Sequence, residues 1–427
     1  MTDLAWIDAA LVAARPRAVG ALLRYFRDLD LAEEAFQDAC LKALQAWPDK
    51  GPPRDPAAWL IFVGRNVGVD GVRRRGKQTE LPDEEKLSDL DDVEAPMAER
   101  LDAADYRDDV LRLLFTCCHP DLPPTQQIAL ALRIVSGLTV QQIARAFLIG
   151  DKAMEQRITR AKGRVAAAGL PFEAPGPVER AERLGPVAAM IYLVFNEGYT
   201  APDGQGARAG LADEAIRLGR LLLRLFPAEP EIMGLTALML LQHSRNRARF
   251  GADGGLILLD DQDRSRWDPK LIAEGLALVD KALRHARPGP YQIQAAIAAL
   301  HARAGSADAT DWAGIERLYG ALEAMQPSPV IRLNRAVAVM KARGPEEALA
   351  MIEPLAEDLS GYFYFFGLKG ALLKQLNRPR EARIAFDQAV ALANTPGEAA
   401  HIRAEIDGLS DTAAAVRPVT VNERRGS

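Results

Sequence analysis

The chain has 427 residues, 48% of them hydrophobic, and a formal net charge of −5. A chain of this length can bury large cores and forms two or three domains. Its three cysteines do not make a disulfide framework. Its N-terminus carries Asp3 and Asp8 instead of a signal peptide, and its longest apolar run, Val187–Phe195, is too short to span a bilayer. We therefore expect a soluble, cytoplasmic protein without membrane contact.

Two helical elements lie near the N-terminus. The first, between Asp28 and Trp47, carries a polar cluster that consists of Glu33, Glu34, Gln37 and Asp38. The second begins at Asp55, a good N-cap, and at Pro56, which suits the first turn of a helix. Its candidate functional residues are Trp59, Arg65, Asn66, Asp70, Arg73, Arg74 and Arg75. A basic helix end beside an aromatic side chain can bind a phosphate backbone and stack an unpaired base, although such residues also simply complement the helix dipole.

An acidic segment follows at residues 78–109. Asp and Glu far outnumber the three basic residues Lys86, Arg100 and Arg107. Residues 78–98 also lack helical periodicity, so this part of the chain is predicted to be a linker. A negative net charge is compatible with DNA binding when acid is concentrated in this way, because the local distribution of charge decides the field at a groove.

A helix-turn-helix is predicted between Leu138 and Lys162. Gly150 separates its two helices. The inward positions are Ile143, Ala144 and Phe147 in the first helix, and Met154, Ile158 and Ala161 in the second. The second helix also carries long hydrogen-bond donors, which are Lys152, Gln156, Arg157, Arg160 and Lys162. A helix in the major groove needs such side chains, and the alternative is a solvated basic surface without a ligand.

The order and spacing of these motifs resemble bacterial extracytoplasmic-function (ECF) RNA polymerase sigma factors. The shared features are the acidic–Gln–acidic helix, the Pro-x-x-Trp-Leu sequence at residues 56–60, the Arg-Asn pair, the Asp and Arg run, and the helix-turn-helix. The resemblance covers roughly residues 5–168. It implies sigma region 2 at residues 1–77 and sigma region 4 at residues 110–170, with the acidic linker at residues 78–109 between them.

The resemblance implies a role for each matching residue. Glu33, Glu34, Gln37 and Asp38 match the part of region 2 that docks on the β′ clamp of core RNA polymerase, whose β flap is the expected contact of region 4. The set from Trp59 to Arg75 matches the part that contacts and opens the −10 element. The Pro48–Pro56 loop lies where such factors hold a flipped base. The helix after Gly150 matches the −35 recognition helix. Core RNA polymerase and promoter DNA are therefore the expected partners.

Two features leave alternatives open. Glu155 stands where many relatives carry a basic residue, and its carboxylate either accepts a hydrogen bond from a cytosine amine or pairs with a neighbouring arginine. In sigma factors the linker between the two regions runs toward the RNA channel of the polymerase, where an acidic strand would mimic nucleic acid. A soluble spacer between two domains is the alternative.

No catalytic constellation is found in the sequence. It has no Gly-rich phosphate loop, no HExxH and no GxSxG elbow, and its five histidines are scattered. Cys117-Cys118-His119 suggests a metal or thiol site, but adjacent cysteines cannot easily turn both sulfurs to one ion, and no second pair of ligands lies near by. We expect structural cysteines, no metal, no cofactor and no enzymatic activity.

Residues 178–410 are rich in Ala and Leu and are punctuated by Gly and Pro, which predicts a helical domain. Gly344–Leu355 aligns with Arg378–Ala389, and the step from Ala348 to Ala382 is 34 residues, the period of a tetratricopeptide repeat (TPR). This domain resembles the C-terminal TPR-like extension of one ECF subgroup. The resemblance implies that the extension regulates or supports activity, with a protein or peptide as a further partner. Residues 411–427 are expected to be a disordered tail.

Two polar segments in this half also resemble signatures of that subgroup. For Asn196, Glu197 and Tyr199 the alternatives are a helix C-terminus closed by Gly198 and a polar seam between domains. The segment Arg245–Asp268 includes Arg247, Asp263 and Arg266. It is either a loop held by ion pairs against the helical array or a contact surface for another domain or an effector.

The sequence thus predicts an all-α protein with two small helical sigma domains and a TPR-like C-terminal domain. We expect a sigma factor that binds core polymerase and opens promoters. One alternative is a stand-alone helix-turn-helix regulator that senses a peptide or protein through its repeats, but the acidic docking helix and the second basic element argue against it. The other is a scaffold that uses the repeats alone, and the two intact basic elements disfavour it.

Overall fold

The computed structural model describes residues 5–51, 53–75, 103–119, 121–147, 149–168, 177–199, 209–251, 257–393 and 396–415. These ranges contain α-helices, short 3₁₀ turns and no β-strand, which confirms the prediction of an all-α protein. The chain divides into two compact units, residues 1–225 and residues 226–427. Within the described ranges, no helix combines the length and the apolar character needed to cross a bilayer.

The first unit begins with a bundle of three helices that all pack against one another. The helices are α1 (Ala5–Phe26), α2 (Leu29–Lys50) and α3 (Pro56–Arg75). Leu22, Phe36, Trp47 and Leu60 are buried in its core, and burial of such apolar area is the main stabilising contribution. The Trp47 ring lies edge-on to the Trp59 ring, with 5.4 Å between the ring centroids.

Aspartate side chains cap the N-termini of α2 and α3. Asp55 accepts a hydrogen bond from the backbone N–H of Ala58 at 3.0 Å, and Pro56 is the first residue of α3, as predicted. The side chain of Asp28 accepts hydrogen bonds from the backbone N–H groups of Asp30 and Leu31 at the start of α2. Each of these two helices therefore begins directly after the aspartate that caps it.

The loop that connects α2 and α3 is shorter than predicted. Helix α2 continues through Pro48 to Lys50, and Gly51 ends it with a φ of 80° and an N–H that donates to the Trp47 carbonyl at 2.9 Å. The prediction that a loop begins at Pro48 is wrong. Proline removes one backbone donor but keeps φ near the helical value, so the last turn of α2 accommodates it.

A second helical bundle in the first unit contains the helix-turn-helix. Its helices are α4 (Ala103–Cys117), α5 (Pro124–Ile134), α6 (Val140–Ala146) and α7 (Asp151–Ala167). Thr139 and Gln142 cap α6 reciprocally, with hydrogen bonds of 3.1 and 2.8 Å. The predicted inward residues Met154, Ile158 and Ala161 are buried, which confirms the predicted orientation of α7.

Two further helices, α8 (Pro177–Tyr199) and α9 (Ala209–Leu225), complete the first unit. They pack against each other, and α8 also contacts α4 and α5. Gly198 lies within α8, where a Cβ atom would collide with the backbone of Ala212 in α9. Its role is therefore to allow the close approach of two helices, and the last residue of α8 is Tyr199.

The second unit is an array in which successive helices pack against their neighbours along the chain. Its helices are α10 (Pro230–His243), α11 (Pro269–Leu283), α12 (Pro290–Arg303), α13 (Trp312–Met325), α14 (Pro329–Arg343), α15 (Pro345–Ile352), α16 (Phe363–Gln375), α17 (Pro379–Leu392) and α18 (Pro396–Ala415). Ala348 in α15 and Ala382 in α17 are the fourth residues of helices that both begin with proline, and both are fully buried. The 34-residue step thus relates two equivalent structural positions.

Three predicted boundaries differ from the helix bounds. Helix α4 begins at Ala103, inside the segment expected to be linker, and α8 begins at Pro177. Helix α18 continues to Ala415, inside the expected tail. The remainder of the linker up to residue 102 and the tail from residue 416 onward lie outside the described residues.

We predict that Gly370→Ala destabilises the contact between α16 and α17. A Cβ at Gly370 would collide with the ring of Phe386, which is 1% exposed. The overpacking outweighs the gain in helix propensity and costs about 1–2 kcal/mol net. Hydrogen exchange of α16 and α17 measures this local stability. Gly367→Ala is the matched control, because its Cβ would make only an ordinary contact with Ile402. Equal protection in both variants would contradict the prediction.

Candidate nucleic-acid interface

Helix α7 presents one polar, mostly cationic face to solvent. Lys152, Gln156 and Arg160 recur every four residues, and all three are exposed. Arg157 is half-buried on the flank of this face. The arrangement suits insertion into a major groove, where cationic side chains contact phosphates and amide or guanidinium groups contact base edges.

Glu155 lies on the exposed side of the same helix and forms no ion pair with any described residue. The ion pair between Glu155 and a neighbouring arginine, which was one of the two alternatives, is therefore not found in the described part of the chain. A carboxylate in this position is available to accept a hydrogen bond from a cytosine amine.

Lys162 is separated from the other four predicted donors of α7. Its Nζ donates to Asp30 Oδ1 at 2.6 Å and to Glu33 Oε2 at 2.9 Å, and both acceptors belong to α2. Burial lowers the pKa of Lys162, but the hydrogen bonds and charges of Asp30 and Glu33 outweigh it, so the net effect is a raised pKa. The ammonium group therefore stays charged in this contact.

Helix α3 holds the residues predicted to contact the −10 element. Trp59 is half-buried against Trp47. The guanidinium of Arg65 lies 4.2 Å from the ring centroid of Tyr25, and this cation–π contact holds the cation in place. Asn66 is half-buried. The backbone of α3 extends to Arg75. The side chains of the remaining predicted residues, Asp70, Arg73, Arg74 and Arg75, lie outside the described residues.

The polar cluster of α2 contains one buried residue and three that reach the surface to different extents. Glu34 and Gln37 are exposed and Asp38 is half-buried, whereas Glu33 is only 4% exposed. Its carboxylate contacts Arg133 at 2.7 Å and Lys162. The four predicted docking residues therefore do not form one surface.

Two exposed leucines extend the outer side of α2. Leu41 is 60% exposed and Leu44 is 47% exposed. Together with Glu34 and Gln37 they follow the spacing i, i+3, i+7 and i+10, which is the stripe by which one helix packs against another. We call these four residues the α2 stripe. Polar residues alone do not point to these leucines, but the heptad spacing of Leu41 and Leu44 in the sequence does.

The polar segment Arg245–Asp268 of the second unit is held by its own charged side chains. Asp268 caps α11, and Asp263 accepts hydrogen bonds from the backbone and hydroxyl of Ser265. Arg264 donates to the carbonyl oxygens of His301 and Ala304 at 2.6 and 2.8 Å. These contacts support the interpretation of a loop held against the helical array.

The six residues predicted to form a seam belong to different units. Asn196, Glu197 and Tyr199 are half-buried near the end of α8 in the first unit. Arg247, Asp263 and Arg266 are exposed in the second unit. Arg247 and Arg266 line an open groove of about 470 Å³, together with Trp267 and Lys270.

Cys117 and Cys118 are buried at the end of α4, as expected for structural cysteines. Burial raises the pKa of the Cys118 thiol to about 12 and also raises that of Cys117. Nδ1 of His119 accepts a hydrogen bond from the backbone N–H of Asp121. Among the described residues, no group of three or more His, Cys, Asp or Glu side chains is placed to hold a metal ion.

Comparisons with known proteins match three parts of the chain. Residues 11–78 match sigma-70 region 2, and residues 112–165 match sigma-70 region 4. Residues 183–283 match a family of unknown function (DUF6596). An uncharacterized protein of Rhizobium meliloti (strain 1021) is 69% identical over 424 residues, which cover 99% of each chain. No solved structure matches the chain.

We predict that acid selectively destabilises the segment around His301. Burial and the nearby Arg245 and Arg264 lower the pKa of His301 from 6.5 to about 4. The unfolded chain therefore binds a proton near pH 6.5 that the folded protein does not accept until about pH 4. The contribution of neutral His301 to the free energy of unfolding is fully present above pH 6.5. It decreases as the pH falls and is about 2 kcal/mol smaller at pH 5.

The matched variant for this prediction is His301→Gln, which cannot titrate. Hydrogen exchange of α12 at pH 7.5 and pH 5, corrected for intrinsic rates, measures the local stability. We expect His301→Gln to lose about 2 kcal/mol less than the wild type over this interval. Identical losses in both proteins would show that another group is responsible.

Proposed function

The chain is an ECF-like sigma factor with a C-terminal extension. We therefore propose that it binds core RNA polymerase, recognises −35 and −10 promoter elements and promotes transcription initiation. We also propose that it acts in the cytoplasm. The observation that carries the proposal is the α2 stripe, which lies in the same unit as the DNA-facing helices α3 and α7. A stand-alone regulator would use such a stripe to pair with a second copy of itself, and binding to core polymerase separates the two functions. The chain acts by binding, not by catalysis.

Core binding is assigned to the α2 stripe. Two exposed leucines on one helix face leave apolar area in water, and covering this area with a partner helix is favourable. Glu34 and Gln37 continue the stripe with polar groups that select cationic or amide partners. A coiled-coil surface such as the β′ clamp has the shape that this spacing fits.

Promoter contacts are assigned to α3 and α7. The half-buried Trp59 leaves part of its ring available to stack an unpaired base at the −10 element. Lys152, Gln156 and Arg160 contact the −35 element in the major groove, and Glu155 adds a preference for cytosine. The second contact of region 4 is the β flap of the polymerase.

The second unit regulates or supports this activity as a TPR-like array. Its repeated helix pair around Ala348 and Ala382 supports the assignment to repeat architectures. A protein or peptide is the partner class that such arrays bind. The alternative is a stand-alone regulator that uses the array as a sensor, and it is an outcome of the experiment that follows.

Run-off transcription with purified core polymerase tests the proposal. Leu41→Ala with Leu44→Ala removes the apolar part of the α2 stripe, so we expect core binding to weaken about 10–100-fold and transcripts to decrease accordingly. Leu283→Ala is the matched control, because Leu283 of α11 is as exposed as Leu41. We expect it to leave core binding and the amount of transcript unchanged. Failure of the full chain to bind core polymerase would favour the stand-alone regulator.

A truncated chain of residues 1–225 shows what the second unit contributes. This boundary keeps α8 and α9, whose apolar residues pack within the first unit. A cut before α8 would expose its buried side chains Val187, Ile191 and Phe195. More transcripts from residues 1–225 than from the full chain indicate restraint by the second unit, and fewer indicate support.

We predict that Arg73→Ala with Arg74→Ala weakens promoter opening more than core binding. Both arginines belong to the last turn of α3, the part of the helix that the resemblance assigns to the −10 contact, and cations there would bind the phosphate backbone. Permanganate reactivity of unpaired thymines measures opening, and binding to core polymerase is measured separately. We expect Glu34→Ala with Gln37→Ala to show the reverse pattern. The same defect in both double variants would contradict this division of roles.

A further inference from the structure

The open groove of the second unit has no part in the functions proposed so far. Arg247 reaches it from the segment after α10, and residues 265–270 line it from the loop that leads into α11. Its volume of about 470 Å³ lies in the usual range for small-molecule sites. The groove belongs to residues 183–283, the part of the chain that matches a family of unknown function.

The lining of the groove is positively charged. Arg247, Arg266 and Lys270 are all exposed, and none of the three forms an ion pair with a described residue. Asp268 supplies the one carboxylate of this lining, so three cations and one anion give a net charge of +2. Asp263 carries a charge near Arg266 but lies outside the lining. A concave surface with this balance attracts anions.

Asp268 does not neutralise these cations, because its carboxylate caps α11. Its Oδ1 accepts hydrogen bonds from the backbone N–H groups of Lys270 and Leu271, at 2.8 and 3.2 Å. The hydrogen bond from Leu271 is the largest contribution to the lowered pKa of Asp268, and the charge of Arg247 lowers this pKa further. Since the first N–H groups of α11 are occupied, an anion in the groove would be bound by side chains.

Trp267 places a buried hydrogen-bond donor in the lining. The residue is only 5% exposed, and its Nε1 is buried without an acceptor among the described residues. A buried N–H is unfavourable unless it is paired, so this donor is available to an acceptor that the described residues do not supply. The guanidinium groups of Arg264 and Arg245 lie 4.8 and 5.9 Å from the ring centroid and add positive charge around it.

Backbone hydrogen bonds join the two segments that form the groove. The N–H of Asp268 donates to the carbonyl of Ser244 at 2.8 Å, and the N–H of Trp267 donates to the carbonyl of Arg264 at 3.1 Å. The side chain of Arg264 is bonded in turn to the end of α12. The cations therefore project from a backbone that is already held in place, which reduces the entropy lost when a ligand binds.

We propose that this groove is a binding site for a phosphate dianion, either free or as the monoester group of a small molecule. A phosphate monoester carries a charge of about −1.5 to −2 at pH 7, which matches the lining. Its oxygens accept charge-assisted hydrogen bonds from arginine and lysine, whereas a carboxylate brings half the charge. The inference goes beyond the proposed function and does not depend on it.

Calorimetric titration of the full chain with phenyl phosphate at low ionic strength tests the proposal. We expect saturable binding, and benzoate and benzenesulfonate, which carry one charge on the same ring, should bind about tenfold more weakly. Equal binding of all three anions would overturn the assignment to phosphate. Inorganic phosphate distinguishes the two sources, because it binds as tightly as phenyl phosphate only if the site recognises the free ion.

Arg247→Gln and Arg266→Gln each remove one cation from an exposed position. We expect either change to weaken the binding of phenyl phosphate about tenfold. Arg380→Gln is the matched control, because Arg380 of α17 is also exposed, forms no ion pair with a described residue and lies outside the groove. Absence of saturable binding to the wild type, or the same affinity in all three variants, would contradict the proposal.

The indole N–H resonance of Trp267 locates the bound anion. Trp267→Phe assigns this signal among those of the five tryptophans. We expect phenyl phosphate to shift it downfield in the wild type, because its N–H gains an acceptor. Binding that leaves the resonance unmoved would place the anion outside the groove and refute the proposed site.

Discussion

The buried carboxylate of Glu33 sets the arrangement of the first unit. A carboxylate that is 4% exposed is tolerated only with cationic partners, and here Arg133 and Lys162 supply them from region 4. Arg15 adds a third cation and also binds the end of α5. Removing one partner would leave an unpaired buried charge, so these side chains act as a set. The relative position of the two regions also depends on the packing of α1 against α4.

Helix α2 consequently serves two purposes on two sides. Glu33 faces region 4, and one helical step away Glu34 begins a stripe that ends in exposed leucines. A helix permits this division because residues at i and i+1 point about 100° apart. One side of α2 therefore stays available to a partner while the other side contacts region 4.

The elements that the sequence predicts best are those governed by local physics. The N-cap at Asp55, the buried face of α7 and the equivalence of Ala348 and Ala382 each follow from residues close together in the chain. The contact of Glu33 with Lys162 joins residues 129 positions apart, and no local pattern encodes such a pair. For this reason the local pattern alone assigns Lys162 to the DNA-facing donors and Glu33 to the docking residues. The spacing of Leu41 and Leu44 is a local signal that does predict their exposed stripe, whereas the polar residues around them do not.

Two polar networks in the chain compensate their buried charges in different ways. In the second unit Arg264 donates to backbone carbonyls of α12 and its loop, and the neighbouring His301 remains neutral because its pKa is lowered to about 4. A single cation is therefore held by neutral acceptors, whose carbonyl dipoles replace its hydration. Around Glu33 the partners are ions of both signs, so each buried charge is compensated by another. The first network therefore fixes a loop to the backbone of one helix, whereas the second balances charges that regions 2 and 4 contribute together.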